Sequence, residues 1–106
     1  MHTLPILVRR NVERLIRAFA PDRIILFGSY AKGANRFDSD VDLLVVADVD
    51  GDRATHQRRA RQLSGDCFPP IDVVLCTPEE AAEADSLSSP FLLSILGTGV
   101  TIYRRS

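Results

Sequence analysis

Residues 26–46 read LFGSYAKGANRFDSDVDLLVV, and this stretch decides how the chain folds and where its chemistry lies. An apolar run ends at a Gly-Ser pair, a basic loop follows, and a second apolar run covers residues 41–47. This second run is almost entirely apolar, which predicts a strand that is buried on both faces. Two aspartates, Asp40 and Asp42, stand at its start, where a core strand would not be expected to carry charge.

Patterns typical of helices and strands alternate on both sides of this stretch. An apolar stripe at helical spacing predicts a first helix over residues 4–19, which Pro21 ends. The other predicted elements are strands at 23–27, 41–47, 71–76 and 100–104, and helices at 52–63, from the Thr77 cap to about Asp85, and from Ser89 to the glycines Gly97 and Gly99. Short strands that alternate with helices predict an α/β (α+β) domain with a small mixed β-sheet flanked by helices. The 106 residues contain no repeat or linker, so we expect a single domain over residues 1–106.

Composition excludes several classes of protein. A hydrophobic fraction of 45% with 25% charged residues is that of an ordinary globular protein. The net charge is −1, so we expect no direct DNA binding, and the arginine-rich runs are interpreted as solvated helix faces. Cys67 and Cys76 lack the spacing of a metal or redox motif, and no apolar run approaches the ~20 residues that span a bilayer. The charge order of the N-terminus is wrong for a signal peptide, so we expect a cytoplasmic protein without membrane contact.

Three aspartates have the pattern of a metal-binding set. Asp40 and Asp42 are two positions apart, so in a strand their side chains point to the same face, where they repel one another unless a cation lies between them. Mg²⁺ is bound in this way, through one or two carboxylates, water and substrate phosphates. In the later strand 71–76, alternation places Asp72 on one face with Val74. If that strand lies beside 41–47, a third carboxylate joins the pair, and three carboxylates can hold two divalent ions.

The Gly-Ser pair supplies the other half of a candidate site. A strand that ends in Gly28 and is followed by a short helical turn exposes backbone N–H groups and the Ser29 hydroxyl, which together suit a phosphate. Lys32 and Arg36 follow in the same loop and could add positive charge. Phosphate donors beside metal-binding carboxylates indicate a nucleoside triphosphate site, with in-line attack on the α-phosphate and release of pyrophosphate.

These residues also form a known family pattern. Gly28-Ser29, ten residues, then Asp40-x-Asp42 resembles the signature of the DNA-polymerase-β-like nucleotidyltransferase superfamily. FGSYAKG followed by SDVDLLVV resembles its minimal nucleotidyltransferase (MNT) branch in particular, and the ending ILGTGVTIY is similar to the terminal strand of that branch. The resemblance implies the polymerase-β-like nucleotidyltransferase fold and a nucleotidyltransferase enzyme that uses ATP as substrate.

The resemblance assigns a role to each site residue. Gly28 and Ser29 would bind the triphosphate, with Lys32 beside them. Asp40 and Asp42 would bind two Mg²⁺ ions, and Asp72 would complete the metal set and help to activate the acceptor. The three aspartates are therefore both the expected metal ligands and the expected catalytic residues.

The acceptor is expected to be another molecule, because one sheet, a few helices and one site account for the whole sequence. Similar MNT proteins are antitoxins encoded beside HEPN-domain ribonuclease toxins, and they silence the toxin by transferring AMP from ATP to one of its hydroxyl groups. We therefore expect a protein adenylyltransferase (AMPylation) that forms a hetero-oligomer with a HEPN toxin. One alternative is a non-catalytic antitoxin that occludes its partner through FLLSIL or the helix 52–63, and another is a transferase acting on RNA or a small molecule such as an aminoglycoside.

Overall fold

The computed structural model describes residues 4–36, 39–65, 68–84 and 89–105. Within these ranges the elements follow in the order α1 (Ile6–Phe19), β1 (Arg23–Phe27), α2 (Ser29–Lys32), β2 (Val41–Val46), α3 (Arg53–Ser64), β3 (Ile71–Cys76), α4 (Pro78–Ala82), α5 (Pro90–Thr98) and β4 (Val100–Arg104). The strands form one sheet in the order β3-β2-β1-β4. β1 is antiparallel to β2 and β4, whereas β2 and β3 are parallel. The predicted mixed sheet flanked by helices is confirmed.

The sheet is covered by helices on both faces, because side chains that alternate along each strand feed two separate apolar clusters. One cluster joins α1 and α3 to the first face and contains Val8, Leu15, Phe19, Ile24, Leu26, Val41, Leu43, Val45, Ala60, Val73 and Leu75. The other joins α4 and α5 to the second face and contains Ile25, Leu44, Val46, Cys76, Ala81 and Ile95. β2 contributes fully buried residues to both clusters, which confirms the prediction from its apolar sequence.

Helix ends follow local chemistry with small departures from the predicted bounds. α1 begins at Ile6 rather than at residue 4 and ends where Ala20 takes a left-handed conformation, with φ 46°. At α4 the predicted capping box is present: the Thr77 hydroxyl accepts from the Glu80 N–H, and the Glu80 carboxylate accepts from the Thr77 N–H. α4 ends at Ala82, earlier than predicted, and Asp85 lies outside the described residues.

α5 continues through Gly97 and ends at Thr98, so of the two glycines predicted to stop the helix, Gly99 is confirmed and Gly97 lies inside it. The obligatory glycine is Gly99, which follows the helix. A Cβ atom there would lie 2.5 Å from the Ile25 side chain and 2.6 Å from the Ile95 carbonyl oxygen. Gly99 therefore allows β4 to follow α5 directly while α5 stays packed against β1.

The two edges of the sheet differ. At the β3 edge, Gln57 of α3 reaches the strand with its side-chain amide. Its Oε1 accepts from the Leu75 N–H at 3.3 Å and its Nε2 donates to the Val73 carbonyl. One side chain thus occupies a backbone donor and acceptor that a further strand would need. At the other edge, β1 is the single neighbour of β4 among the strands that the structure describes.

Two predictions from composition concern cysteine and membrane contact. Cys76 is buried without a disulfide, and Cys67 lies outside the described residues. Burial raises the pKa of the Cys76 thiol to about 11, so at neutral pH it is protonated and a poor nucleophile or metal ligand. No helix in the described ranges is long and apolar enough to cross a lipid bilayer.

Candidate active site

The candidate site lies at one end of the sheet, where β1 ends and β2 and β3 begin. In the strand register Phe27 is opposite Asp42, and Asp42 is opposite Asp72. Adjacent strands are about 4.8 Å apart, so the backbones that carry the two aspartates are direct neighbours. The sequence argument for Asp72 depended on β3 lying beside β2, and the structure places it there.

The aspartates of β2 and β3 share the face of the sheet covered by α4 and α5. Leu43 and Val73 belong to the cluster under α1 and α3, so the residues just before them, Asp42 and Asp72, face the opposite side. Asp40 comes two residues before Asp42, and its charge acts on Asp42. All three predicted carboxylates therefore lie at the same end of the sheet.

Electrostatic repulsion is evident at this end of the sheet. Asp40 and Asp72 are exposed, whereas Asp42 is partly buried. Burial raises the pKa of the Asp42 carboxyl, and the negative charges of Asp72 and Asp40 raise it further. The ion pairs in the described part of the chain join Arg53 to Glu80 and Arg105 to Asp22, so neither neutralises these carboxylates.

Gly28 packs directly against the central carboxylate. Its φ of 75° and ψ of −152° belong to a region that residues with a side chain rarely adopt. A Cβ atom at this position would lie only 2.2 Å from Asp42 Oδ2. The glycine of the Gly-Ser pair is thus required both by its backbone conformation and by its contact with Asp42. Sequence reasoning assigned Gly28 to the phosphate and missed this contact, since the contact arises only when β1 and β2 pair.

The turn after Gly28 is the short helix α2. Gly28 precedes its first turn and has no side chain with which to cap the helix N–H groups. Ser29 is partly exposed at its start, and buried Tyr30 anchors the turn in the core. Lys32 ends α2 and is exposed; its N–H donates to the Gly28 carbonyl at 3.3 Å. The structure thus brings Gly28 to the carboxylates directly and leaves Lys32 one helical turn away.

The donor set fits Mg²⁺ on chemical grounds. Carboxylate oxygens are hard ligands, and like charges without a counter-ion favour the arrival of a cation. In the described ranges, no three His, Cys, Asp or Glu side chains are gathered closely enough to enclose an ion. Mg²⁺ does not need such a cage, because it keeps several waters and takes substrate phosphate oxygens as ligands. An open set of carboxylates at the end of a sheet meets that requirement.

An aromatic pair lies beside the carboxylates, and no local sequence pattern predicted it. Phe27, opposite Asp42, packs edge-to-face against Phe91 of α5 with the ring centroids 5.9 Å apart. Phe91 is 54% exposed and Leu93 is 40% exposed, whereas Ile95 is in the core. The FLLSIL segment is therefore divided between the core and exposed apolar side chains, of which Phe91 lies next to the site.

Comparison with known proteins adds a family, a relative and two solved structures. The family model described as nucleotidyltransferase domain matches residues 8–93. A protein of Methanocaldococcus jannaschii named "Putative protein adenylyltransferase" is 60% identical over 30 residues, which are 28% of this chain and only 30% of that relative's length.

Among solved structures, a "putative nucleotidyltransferase from Sulfolobus solfataricus" aligns with 93% of this chain and 78% of its own, at 19% identity and a TM-score of 0.63. A structure described as "the toxin-antitoxin with AMP-PNP" aligns with 92% of this chain and 73% of its own, at 23% identity and a TM-score of 0.57. At these identities the two structures establish a shared fold.

Proposed function

The chain belongs to the nucleotidyltransferase domain family, and on that premise we propose that it transfers AMP from ATP to a hydroxyl group of a partner protein, with Mg²⁺ as cofactor. We propose further that it is the antitoxin of a HEPN ribonuclease toxin, that it acts in the cytoplasm, and that the attached AMP silences the toxin. The observation that carries the proposal is the position of Asp42, which lies between Gly28 of the Gly-Ser pair and Asp72 of the next strand.

Each residue of the site has a proposed task. Gly28 and Ser29 bind the triphosphate through backbone N–H groups and the hydroxyl, and Lys32 adds positive charge. Asp40, Asp42 and Asp72 would hold the two Mg²⁺ ions. When bound, the metal lowers the pKa of the attacking hydroxyl and neutralises the leaving pyrophosphate.

The protein's own contribution is to position the reactants. Paired strands fix the relative positions of Asp42 and Asp72, so a substrate bound beside these two carboxylates meets a preset geometry. In the transfer the acceptor oxygen bonds to the α-phosphorus, the bond to the bridging oxygen breaks, and pyrophosphate leaves. Asp72 is exposed at the edge of the site, and we assign to it the role of accepting the proton of the acceptor hydroxyl.

The choice of a protein acceptor rests on two supporting findings. The M. jannaschii relative carries the name of a protein adenylyltransferase, although the aligned segment covers less than a third of it. One structural neighbour is a toxin–antitoxin complex with a nucleotide analogue. Together with the resemblance to MNT antitoxins, these findings favour a partner toxin over RNA or a small molecule as the acceptor.

The decisive experiment mixes the purified protein with Mg²⁺, α-labelled ATP and the product of the adjacent gene. Label is followed on a denaturing gel and by intact mass. We expect label on the partner, its loss with Asp40→Asn or Asp42→Asn, and its retention with Asp48→Asn, a matched change at an exposed position two residues beyond the far end of β2. A stable complex that takes up no label from any of the four nucleotides would refute transfer.

Occlusion without transfer is the second candidate, and the exposed ring of Phe91 beside the site favours it. Phenylalanine is among the residues enriched at protein–protein interfaces. If occlusion alone silences the partner, Asp42→Asn will leave neutralisation intact, whereas Phe91→Ser will weaken the complex. If transfer is required, Asp42→Asn will abolish neutralisation while the complex persists.

A further inference from the structure

We propose that the open edge of β4, together with the apolar groove between β4 and α1, binds an extended acidic segment of a partner protein as a fifth strand of the sheet. This surface lies outside the nucleotide site. Its occupation does not depend on the proposed transfer reaction, so it can be tested even if that proposal fails.

The outer edge of β4 presents backbone N–H and C=O groups to which a further strand could bond. The Arg105 N–H donates to the Asp22 carbonyl at 2.9 Å, which sets the phase of the antiparallel ladder between β4 and β1. Along an antiparallel strand, the backbone N–H and C=O groups of successive residues point alternately toward and away from the neighbouring strand. Because those of Arg105 point toward β1, those of Arg104 point away from it. Gln57 occupies the corresponding groups at the β3 edge, so among the described residues one edge of the sheet is protected and the β4 edge is left available.

An apolar groove runs beside this edge. It has a volume of about 460 Å³ and lies between α1 and the start of β4; its lining residues include Leu4, Val12, Val100 and Ile102. Ile6, in the first turn of α1 and close in sequence to Leu4, is 57% exposed. An open strand edge supplies main-chain hydrogen bonds, and a neighbouring groove receives alternate side chains, which is how an extended peptide adds to a sheet.

The charge of the surface around β4 indicates which kind of peptide segment it binds. Arg9 and Glu13 line the groove, and a second cavity at the far end of β4 is lined by Asp22 with three arginines, Arg23, Arg104 and Arg105. Four arginines against two carboxylates make this surface positive, so it suits an acidic segment. A second copy of the chain would bring the same arginines face to face, which disfavours self-association through this edge.

The position of the surface is compatible with catalysis. β4 begins at Val100, which pairs with Leu26 next to the end of β1 where Asp42 lies. The groove is on the α1 face of the sheet, however, and the carboxylates are on the opposite face. A strand bound along β4 would therefore hold a partner beside the nucleotide site without covering it.

The test uses a fluorescent eight-residue peptide that alternates glutamate and valine, and a lysine–valine peptide as its counterpart. We expect the acidic peptide to bind at least about tenfold more tightly than the basic one. Arg9→Glu should weaken binding of the acidic peptide by at least about tenfold. Arg10→Glu, the same charge reversal at the adjacent exposed position of α1, should weaken it by less than about threefold.

Amide hydrogen exchange identifies the strand edge itself. Binding of the acidic peptide should slow exchange at the outward-facing Arg104 N–H, while the Arg105 N–H, already bonded to Asp22, changes little. Equal affinity for both peptides, equal effects of the two charge reversals, or binding without protection of Arg104 would each overturn the proposal. So would a concentration-dependent dimer that Arg9→Glu dissociates, since a second copy would then be the occupant.

Discussion

Replacement of Gly28 by alanine is the sharpest test of how the site is built. An added Cβ atom would lie 2.2 Å from Asp42 Oδ2, whereas an ordinary contact is 3.4 Å or more. The carboxylate oxygen must therefore retreat by about 1.2 Å, and a misplacement of about 1 Å at a reacting centre can reduce a rate by about 100-fold. We expect Gly28→Ala to lower kcat/KM for nucleotide transfer by about that factor.

Thermal stability should fall by a similar amount in Gly28→Ala and in its control variant, so stability should separate the two less clearly than activity does. The backbone conformation of Gly28 costs alanine about 1–3 kcal/mol. Gly33 provides the control: it also has a positive φ, of 69°, but a Cβ atom there meets nothing within 4 Å. Gly33→Ala should cost about 1–2 kcal/mol. At about 4–8 °C per kcal/mol, both variants should melt several degrees lower than the wild type.

The assay compares the two variants by melting temperature, transfer rate and the carboxyl chemical shift of Asp42 through a pH titration. The expected pattern is a similar loss of stability in both, with a moved Asp42 resonance and a lost rate only in Gly28→Ala. The NMR readout does not depend on the proposed reaction. An unchanged Asp42 titration in Gly28→Ala would refute the close contact, and equal loss of rate in Gly33→Ala would show that turn stability, not the carboxylate, controls activity.

Three further predictions concern stability. Asp42→Asn should raise the melting temperature at pH 7 while abolishing transfer. Folding raises the pKa of Asp42 above its ordinary value of 3.8, so ionisation of Asp42 destabilises the fold as pH rises from 3.8 through the folded-state pKa. The gain in melting temperature from Asp42→Asn should therefore vanish below pH 3.8 in a pH series of melting curves. Gln57→Ala should lower the free energy of unfolding by about 1–2 kcal/mol in urea denaturation, and light scattering should detect increased association. Gln62→Ala, on the exposed side of α3, is the control, and an equal loss of stability there would contradict the role of Gln57 at the sheet edge. Thr77→Ala should lower the free energy of unfolding by about 1 kcal/mol in urea denaturation, because α4 loses its cap. The control Thr98→Ala, at an exposed position, should lower it by less than about 0.5 kcal/mol, and equal losses would argue against the cap.

The parts of the fold that sequence predicted well are those fixed by local pattern. β1 and β3 have the predicted bounds because each is a short run rich in β-branched or aliphatic residues that a turn or a cap ends. The Thr77 cap was predictable for the same reason, since its partners lie within four positions. α5 was predicted less well: Gly97 is tolerated inside the helix because the apolar face of α5 packs on β1, and this tertiary contact outweighs local propensity.

The parts of the site that sequence could not predict depend on pairing between distant strands. Asp72 was placed only conditionally, because nothing within β3 states which strand it joins. The contact of Gly28 with Asp42 appears only in the register of β1 and β2. Gln57 gave no signal, since its partners on β3 are 16 and 18 positions away. In each case the sequence shows the residue type, but it does not show the long-range contact that determines the role of that residue.

The same register explains why a core strand begins with paired charges. Leu43 and Leu44 are fully buried, so β2 is held in place from both faces. That packing keeps Asp42 beside Gly28 and Asp72, although burial and two like charges disfavour its ionised form. A substitution that relieved this repulsion would stabilise the fold, and yet the aspartates stand where the register brings them together. The repulsion among these carboxylates opposes folding, and the proposed binding of a cation and a triphosphate would give their position a purpose.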